Sequence, residues 1–266
     1  MDKINKKDQL KYYKFLNLLP KKINKLYFGK LKGKFKLNNK SNKKNGFDPV
    51  TNIDRAFELF LRKEIAKKFP KDGIIGEEFE ERKTKNGFTW VIDPIDGTRS
   101  FIAGHKDFGT LIALLYKKKP ILGIINCPAH NERWIGAENK ITTLNGKNIK
   151  TSSKKSIEDC FVITTGLYFE DETFRNGFDN IIKKSKYYIF GGDCYMYGML
   201  SSGLIDIVFE DTLQAHDYMA LVPIIQGAGG VITDKYNNPI TLDSDGSVVA
   251  TANSLIHKQA INMINL

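Results

Sequence analysis

The segment Trp90-Val91-Ile92-Asp93-Pro94-Ile95-Asp96-Gly97-Thr98 limits the fold more than any other stretch of the chain. Its apolar start reads as a buried strand. That strand ends at Asp93, Pro94 fixes a turn, and Asp96 follows three residues on, so both carboxylates point at one spot with the Ile95 carbonyl between them. Gly97 and Thr98 then open a helix whose free backbone N–H groups make an anion site. Hard carboxylate and carbonyl oxygens suit magnesium, which takes few protein ligands and leaves room for water and phosphate. Asp-Pro and Asp-Gly are also common turn dipeptides, so the segment taken alone permits either a site or a turn.

Its neighbours read as further layered structure. Leu10, Tyr13, Leu16, Ile23, Leu26 and Tyr27 have helical spacing, which Pro20 is expected to divide in two. Thr51 caps an amphipathic helix through Ile53, Phe57, Phe60, Leu61 and Ile65, placing Asp54 in its first turn and ending before Pro70. Ile74-Ile75 forms a second buried strand, delivering Glu77. Residues 110–116 and 121–127 read as a hairpin, with 133–137 as a third strand. From about residue 151 the pattern becomes strand 160–164, helix 194–202, strand 205–209, helix 218–227 and strand 230–233, a second α/β layer set.

The net charge of +11 is confined to one end. Residues 1–47 hold fifteen lysines against Asp2 and Asp8, a balance of +13, and the remaining residues sum to −2. The basic, Asn- and Gly-rich loop from Gly33 to Gly46, Lys40 to Lys44 included, is either a solvated face or an anion-attracting arm. Nucleic acid is not the expected partner. No apolar run approaches the roughly 20 residues of a membrane span, and no signal peptide is evident, so a cytoplasmic location is expected. Cys127, Cys160 and Cys194 are too few and too scattered for a disulfide framework or a metal site, and read as reduced, packed thiols.

Glu77 in Gly76-Glu77-Glu78, Asp54, and Asp217 in Ala215-His216-Asp217-Tyr218 would each pass singly for a cap or a solvated acid. Together with residues 93–98, in the order Asp48 to Asp54, Gly76 to Glu78, Asp93 to Thr98 and Asp217 to Gly230, they resemble the inositol-monophosphatase-like superfamily from about residue 8 onward. The resemblance implies an α+β, layered αβαβα sandwich of the sugar-phosphatase type. It implies an N-terminal half, 1–150, carrying most metal ligands and a C-terminal half, 151–266, carrying the last metal Asp and the substrate contacts. Two or three magnesium ions, replaceable by manganese, would be held by Glu77, Asp93, the Ile95 carbonyl, Asp96 and Asp217, with Asp54 on a further, weaker ion. Gly97 and Thr98 would bind phosphate, and Thr98 and Glu77 would orient and deprotonate a metal-bound water. A homodimer is also implied. Paired metals suit the reaction class, because phosphate monoesters hydrolyse very slowly unaided and charge must be neutralised on two oxygens at once.

Ser100 to Gly104, Phe108 to Leu114, Asn131 to Gly136, Gly191 to Gly198 and Leu221-Val222-Pro223 resemble the histidinol-phosphate phosphatase branch more closely than the inositol branch. In that resemblance Asp193 and Glu210 face the alcohol part of a small phosphate ester, and two carboxylates favour an ammonium and an imidazole over a neutral polyol. Inositol 1-phosphate, a 3'(2'),5'-bisphosphate nucleotide, or a non-catalytic nucleic-acid-associated role are the alternatives. Ala215-His216 departs from the pattern, standing where Pro-Tyr or Pro-Trp is expected. His216 is read as a packing or capping residue, with ligation of metal or substrate as the other option. Asp193 is also read as the cap of the following helix.

Overall fold

The computed structural model describes residues 4–31, 36–39 and 49–264. The lysine-rich loop at Lys40–Lys44 lies outside these residues. The chain opens with α1 (Lys6–Leu26), a short antiparallel ribbon of β1 (Leu37–Asn39) and β2 (Pro49–Thr51), and α2 (Asn52–Lys68). A seven-stranded sheet follows in spatial order: β3 (Gly73–Gly76), β4 (Phe88–Asp96), β5 (Gly109–Tyr116), β6 (Lys119–Cys127), β7 (Glu132–Ala137), β8 (Thr143–Leu144) and β9 (Lys147–Asn148). Within it α3 (Thr98–Ala103) interrupts the chain between β4 and β5. The second half supplies β10 (Phe161–Thr164), α4 (Glu172–Lys184), β11 (Tyr187–Phe190), α5 (Asp193–Ser201), β12 (Ile207–Glu210), α6 (Ala215–Tyr218), α7 (Leu221–Gly227), β13 (Val231–Thr233), β14 (Val248–Thr251) and α8 (Ser254–Ile264). Its five strands lie in the order β11-β10-β12-β14-β13.

The period-two alternation of strand side chains explains the layering. On β4, Trp90 and Ile92 pack with Leu16 and Ile23 of α1 and Phe57 and Leu61 of α2, whereas Val91 points to the other side. There it joins Met196 and Leu200 of α5, Leu221 and Ile224 of α7, and Val208 and Ala250 from the near face of the five-stranded sheet. The far face of that sheet, Val162, Ile207, Phe209 and Val249, packs on Phe174 and Phe178 of α4 and Ile256 and Ala260 of α8. Five layers result, α1/α2, sheet, α5/α7, sheet, α4/α8: the layered αβαβα sandwich that the resemblance implies. Among the described residues no helix is long and apolar enough to cross a membrane. The three cysteines are free and buried.

Three expectations are corrected. Pro20 sits inside an unbroken α1, where buried Leu16, Leu19 and Ile23 hold the helix on the sheet and offset one missing backbone bond. The helix expected over 218–227 is split into α6 and α7 with a turn at 219–220, because Pro223 has no N–H to offer the Met219 carbonyl. The strand expected to stop at Asp93 runs on to Asp96 through a bulge. Asp93 pairs with Leu111 and Asp96 with Gly109, so Pro94 and Ile95 together face Thr110, whose hydroxyl donates to the Pro94 carbonyl at 2.9 Å. This bulge turns the end of β4 toward the cavity described next.

Candidate active site

The bulge places the first group of acids. Asp93 is 2% exposed, and Asp96 follows it at the strand end, where its Oδ2 accepts the Cys194 backbone N–H at 2.5 Å. Gly97 then takes a left-handed conformation, φ 78°, and caps α3. A side chain there would also strike Asp193, since a Cβ would stand 2.8 Å from its Cγ, so glycine is required twice over. The Thr98 hydroxyl reaches the Ile95 carbonyl at 3.0 Å and Asp54 Oδ1 at 3.3 Å. Buried Asp54, in the first turn of α2, thereby joins the β4 acids.

One helical turn on, α2 presents Glu58, fully buried. Its carboxylate accepts the Glu78 N–H at 2.7 Å and pairs with Arg62 Nε at 2.7 Å, while Arg62 donates to the Phe79 carbonyl at 2.8 Å. Arg55 Nε lies 3.7 Å from Glu78 Oε2. The turn that carries Glu77 is therefore clamped from α2. Gly76 must be glycine for this, because a Cβ would lie 2.1 Å from Glu58 Oε1.

The second half closes the site. Asp217 lies in α6, its Oδ2 accepting the Gln214 N–H at 2.6 Å in a reciprocal capping box. Asp193, expected as a helix cap, is instead the first residue of α5 at φ 40°, with Gly192 in the cap position; its carboxylate accepts the Ser100 hydroxyl at 2.5 Å. Glu210, at the end of β12, accepts the Tyr197 hydroxyl at 2.7 Å and a bond from Thr165. A cavity of about 290 Å³ is lined by Glu77, Asp96, Gly97, Thr98, Asp193, Glu210 and Asp217, with Arg99, Leu111, Thr165, Cys194, Tyr197 and Leu213. Ligand atoms of Asp93, Asp96 and Asp217 lie within 4.8 Å of one another, and so do those of Glu77, Asp93 and His216. Seven of the ten residues singled out in the sequence line this cavity; Asp93 joins them through the acidic groups, and Asp54 and the Ile95 carbonyl through the Thr98 hydroxyl.

The electrostatics are unbalanced. Burial, then Glu77, Asp96, Asp217 and Asp54, push the Asp93 carboxyl well above the usual carboxylate range. Burial, then Asp193, Asp217 and Glu210, do the same to Asp96. Burial raises Glu210 to about 7 against the hydrogen bonds from Thr165 and Tyr197. Among the described residues lining the cavity, Arg99 is the one basic side chain. Asp93 Oδ1 is buried with no hydrogen-bond partner among the described residues. A crowd of hard oxygens, one of them an orphaned carboxylate oxygen, is a donor set that could hold a divalent cation.

Several supporting groups escaped sequence reasoning. Glu58 had a visible signal, an acid on the apolar face formed by Phe57, Leu61 and Ile65 with Arg62 four residues on. Ser100, Tyr197 and the Cys194 amide had none, because their contacts span many residues or use backbone.

Known proteins resemble this chain in sequence and fold. The model of the inositol monophosphatase family matches residues 8–265. The bifunctional phosphatase IMPL2, chloroplastic, of Arabidopsis thaliana is 40% identical over 230 residues, covering 83% of this chain and 66% of the plant protein. A histidinol-phosphatase of Chlorobaculum parvum is 34% identical, with 76% and 78% covered. The solved structure of an inositol monophosphatase from Zymomonas mobilis superposes with a TM-score of 0.81 at 35% identity, covering 99% of this chain and 100% of that one. The chain belongs to the inositol monophosphatase family.

Proposed function

We propose that the chain is a divalent-metal-dependent phosphomonoesterase that hydrolyses histidinol phosphate to histidinol and phosphate. The observation that carries the metal part is the orphaned, buried Asp93 Oδ1 amid Glu77, Asp96 and Asp217. In this reading Glu77, Asp93, the Ile95 carbonyl, Asp96 and Asp217 hold magnesium, and Asp54 serves a further ion. Bound there, the ions neutralise charge on the attacking and leaving oxygens of the ester. Gly97 and Thr98 hold the phosphate through their amides and the Thr98 hydroxyl. Glu77 and Thr98 orient the attacking water, and Glu77 takes up its proton. Exhaustive chelation should abolish hydrolysis of a generic phosphate ester, and magnesium or manganese should restore it.

The substrate part rests on Asp193 and Glu210, two further acids on the cavity wall that the phosphate end does not need. A protonated amine and an imidazole would be recognised by them through charge-assisted hydrogen bonds. The likeness to the Chlorobaculum histidinol-phosphatase supports the same ester. Glu210→Gln should keep hydrolysis of a generic ester and weaken histidinol phosphate selectively, by about 1 to 3 kcal/mol in kcat/KM. Kinetics on a panel including inositol 1-phosphate and an adenosine bisphosphate test this directly. Equal losses on all esters would assign Glu210 to the metals or the fold, and a wild-type preference for inositol 1-phosphate would remove the histidinol reading.

The half 1–150 is proposed to carry most metal ligands and the phosphate-binding helix start, and the half 151–266 the last metal Asp and the substrate contacts. A homodimer is supported by β11, an edge strand that exposes Tyr187, Tyr188, Ile189 and Phe190 in succession. Such an edge pairs with a like strand across a twofold axis. Sedimentation as a monomer at micromolar concentration would exclude it.

A further inference from the structure

His216 brings an imidazole to a cluster otherwise made of oxygen. A ring nitrogen of His216 and carboxylate oxygens of Glu77 and Asp93 all lie within 4.8 Å of one another. A second trio, Asp93, Asp96 and Asp217, meets the same limit, so Asp93 belongs to both. His216 Nε2 stands 3.6 Å from Asp217 Oδ1, too far for a hydrogen bond, so that carboxylate does not hold the ring. At the point where the trios meet, Asp93 is 2% exposed and its Oδ1 has no hydrogen-bond partner among the described residues. A buried oxygen left in that state calls for an explanation, and a shared ion would supply one, with a nitrogen among the groups within 4.8 Å.

We propose that His216 is a metal ligand, and that the Glu77–Asp93–His216 position, which also accepts Mg2+, prefers a transition ion such as Mn2+, Co2+ or Zn2+, whereas Asp93–Asp96–Asp217 prefers Mg2+. The inference rests on the metal-phosphatase reading above and adds an asymmetry to it. Carboxylate oxygens alone suit magnesium, whereas an imidazole nitrogen raises affinity for borderline first-row ions and adds little for magnesium. The two positions also differ in charge, two carboxylates with a neutral ring against three carboxylates. Sharing Asp93 places two unlike ions side by side.

The test uses the whole protein stripped of metal by chelation. Mn2+ is added without substrate, and pulsed electron paramagnetic resonance is read for coupling to a directly bound nitrogen. Calorimetric titrations with Co2+ and with Mg2+ follow on wild type, His216→Ala and His216→Asn. The expected result is nitrogen coupling in wild type and none in either variant. The variants should also lose about tenfold or more in Co2+ affinity at one position, with Mg2+ affinity kept within about threefold. Bound Mn2+ without nitrogen coupling in wild type overturns the proposal and leaves the metal-phosphatase reading standing, and so does unchanged Co2+ affinity in both variants. Failure of all three ions to bind would remove both. The wild-type spectrum decides the matter even if a variant does not fold.

Discussion

Buried aspartates occur both inside the site and outside it, and the two kinds are treated differently. Asp72 accepts bonds from the Trp90 indole at 2.9 Å, Asn86 Nδ2 at 2.8 Å and the Tyr12 hydroxyl at 3.1 Å. Asp206 accepts the Phe161 N–H at 2.7 Å, pairs with Lys154 at 2.7 Å, and receives the Ser152 hydroxyl. Asp93 is as buried as these, yet among the described residues one of its oxygens has no partner, and its near neighbours are other acids. At Asp72 and Asp206 the fold meets the desolvation cost with its own donors; at Asp93 it leaves that cost to something bound. At Asp93, unlike Asp72 and Asp206, the protein withholds its own donors from a buried charge.

The comparison can be broken by making each kind of aspartate neutral. Asp93→Asn should lower hydrolysis on the order of 10³-fold while leaving the urea midpoint of the chelated protein unchanged or raised, since it removes uncompensated charge. A large fall in that midpoint would mean that Asp93 is structural after all. Asp206→Asn should do the reverse, costing about 3 kcal/mol in urea unfolding because the amide gives up the charge pair with Lys154 and keeps one acceptor oxygen where Lys154, the Phe161 N–H and the Ser152 hydroxyl use two, with Mg2+ affinity intact. Glu58→Gln sharpens the boundary between the two classes. The amide still accepts from Glu78 but loses the charge pair with Arg62, so the Glu77 turn loosens. Calorimetry should then show Mg2+ affinity reduced about tenfold. An unchanged affinity would place Glu58 with Asp72 and Asp206.

What the sequence shows of this division follows from the physics of each element. β4 to β7 were legible because long apolar runs end at Lys117, Lys118 and Pro120 or in acids, and two of those acids, Asp93 and Asp96, lie in the acidic group at the candidate cavity. The bulge at residues 94–95 was not, since it depends on the Thr110 hydroxyl across the ladder. Pro20 and Pro223 show propensity giving opposite outcomes. Tertiary burial carries the helix through the first, whereas the second breaks the helix expected over 218–227. Asp193 looked like a helix cap because capping is local, and its actual partner, Ser100, is 93 residues away. Asp54, Glu77, Asp93, Asp96 and Asp217 were identified as a set only through their order and spacing, because each alone looks like a turn or cap.

The central claim, that these acids are crowded together for a cation, is tested most directly by thermal unfolding with and without Mg2+ at pH 8 and pH 5. Asp93 and Asp96 have carboxyls raised by burial and by neighbouring acids, so their favourable contribution to the metal-free fold exists at pH below the ordinary carboxylate value and is lost as pH rises through the raised one. The metal-free protein is therefore most handicapped at pH 8, where both acids are asked to ionise. His257, pushed down to about 4 by burial, weakens the fold as pH falls, but equally with and without metal, so it cancels in the difference. Saturating Mg2+ should raise the midpoint by about 5 °C or more at pH 8 and by clearly less at pH 5. Identical midpoints with and without Mg2+ at both pH values would contradict the account.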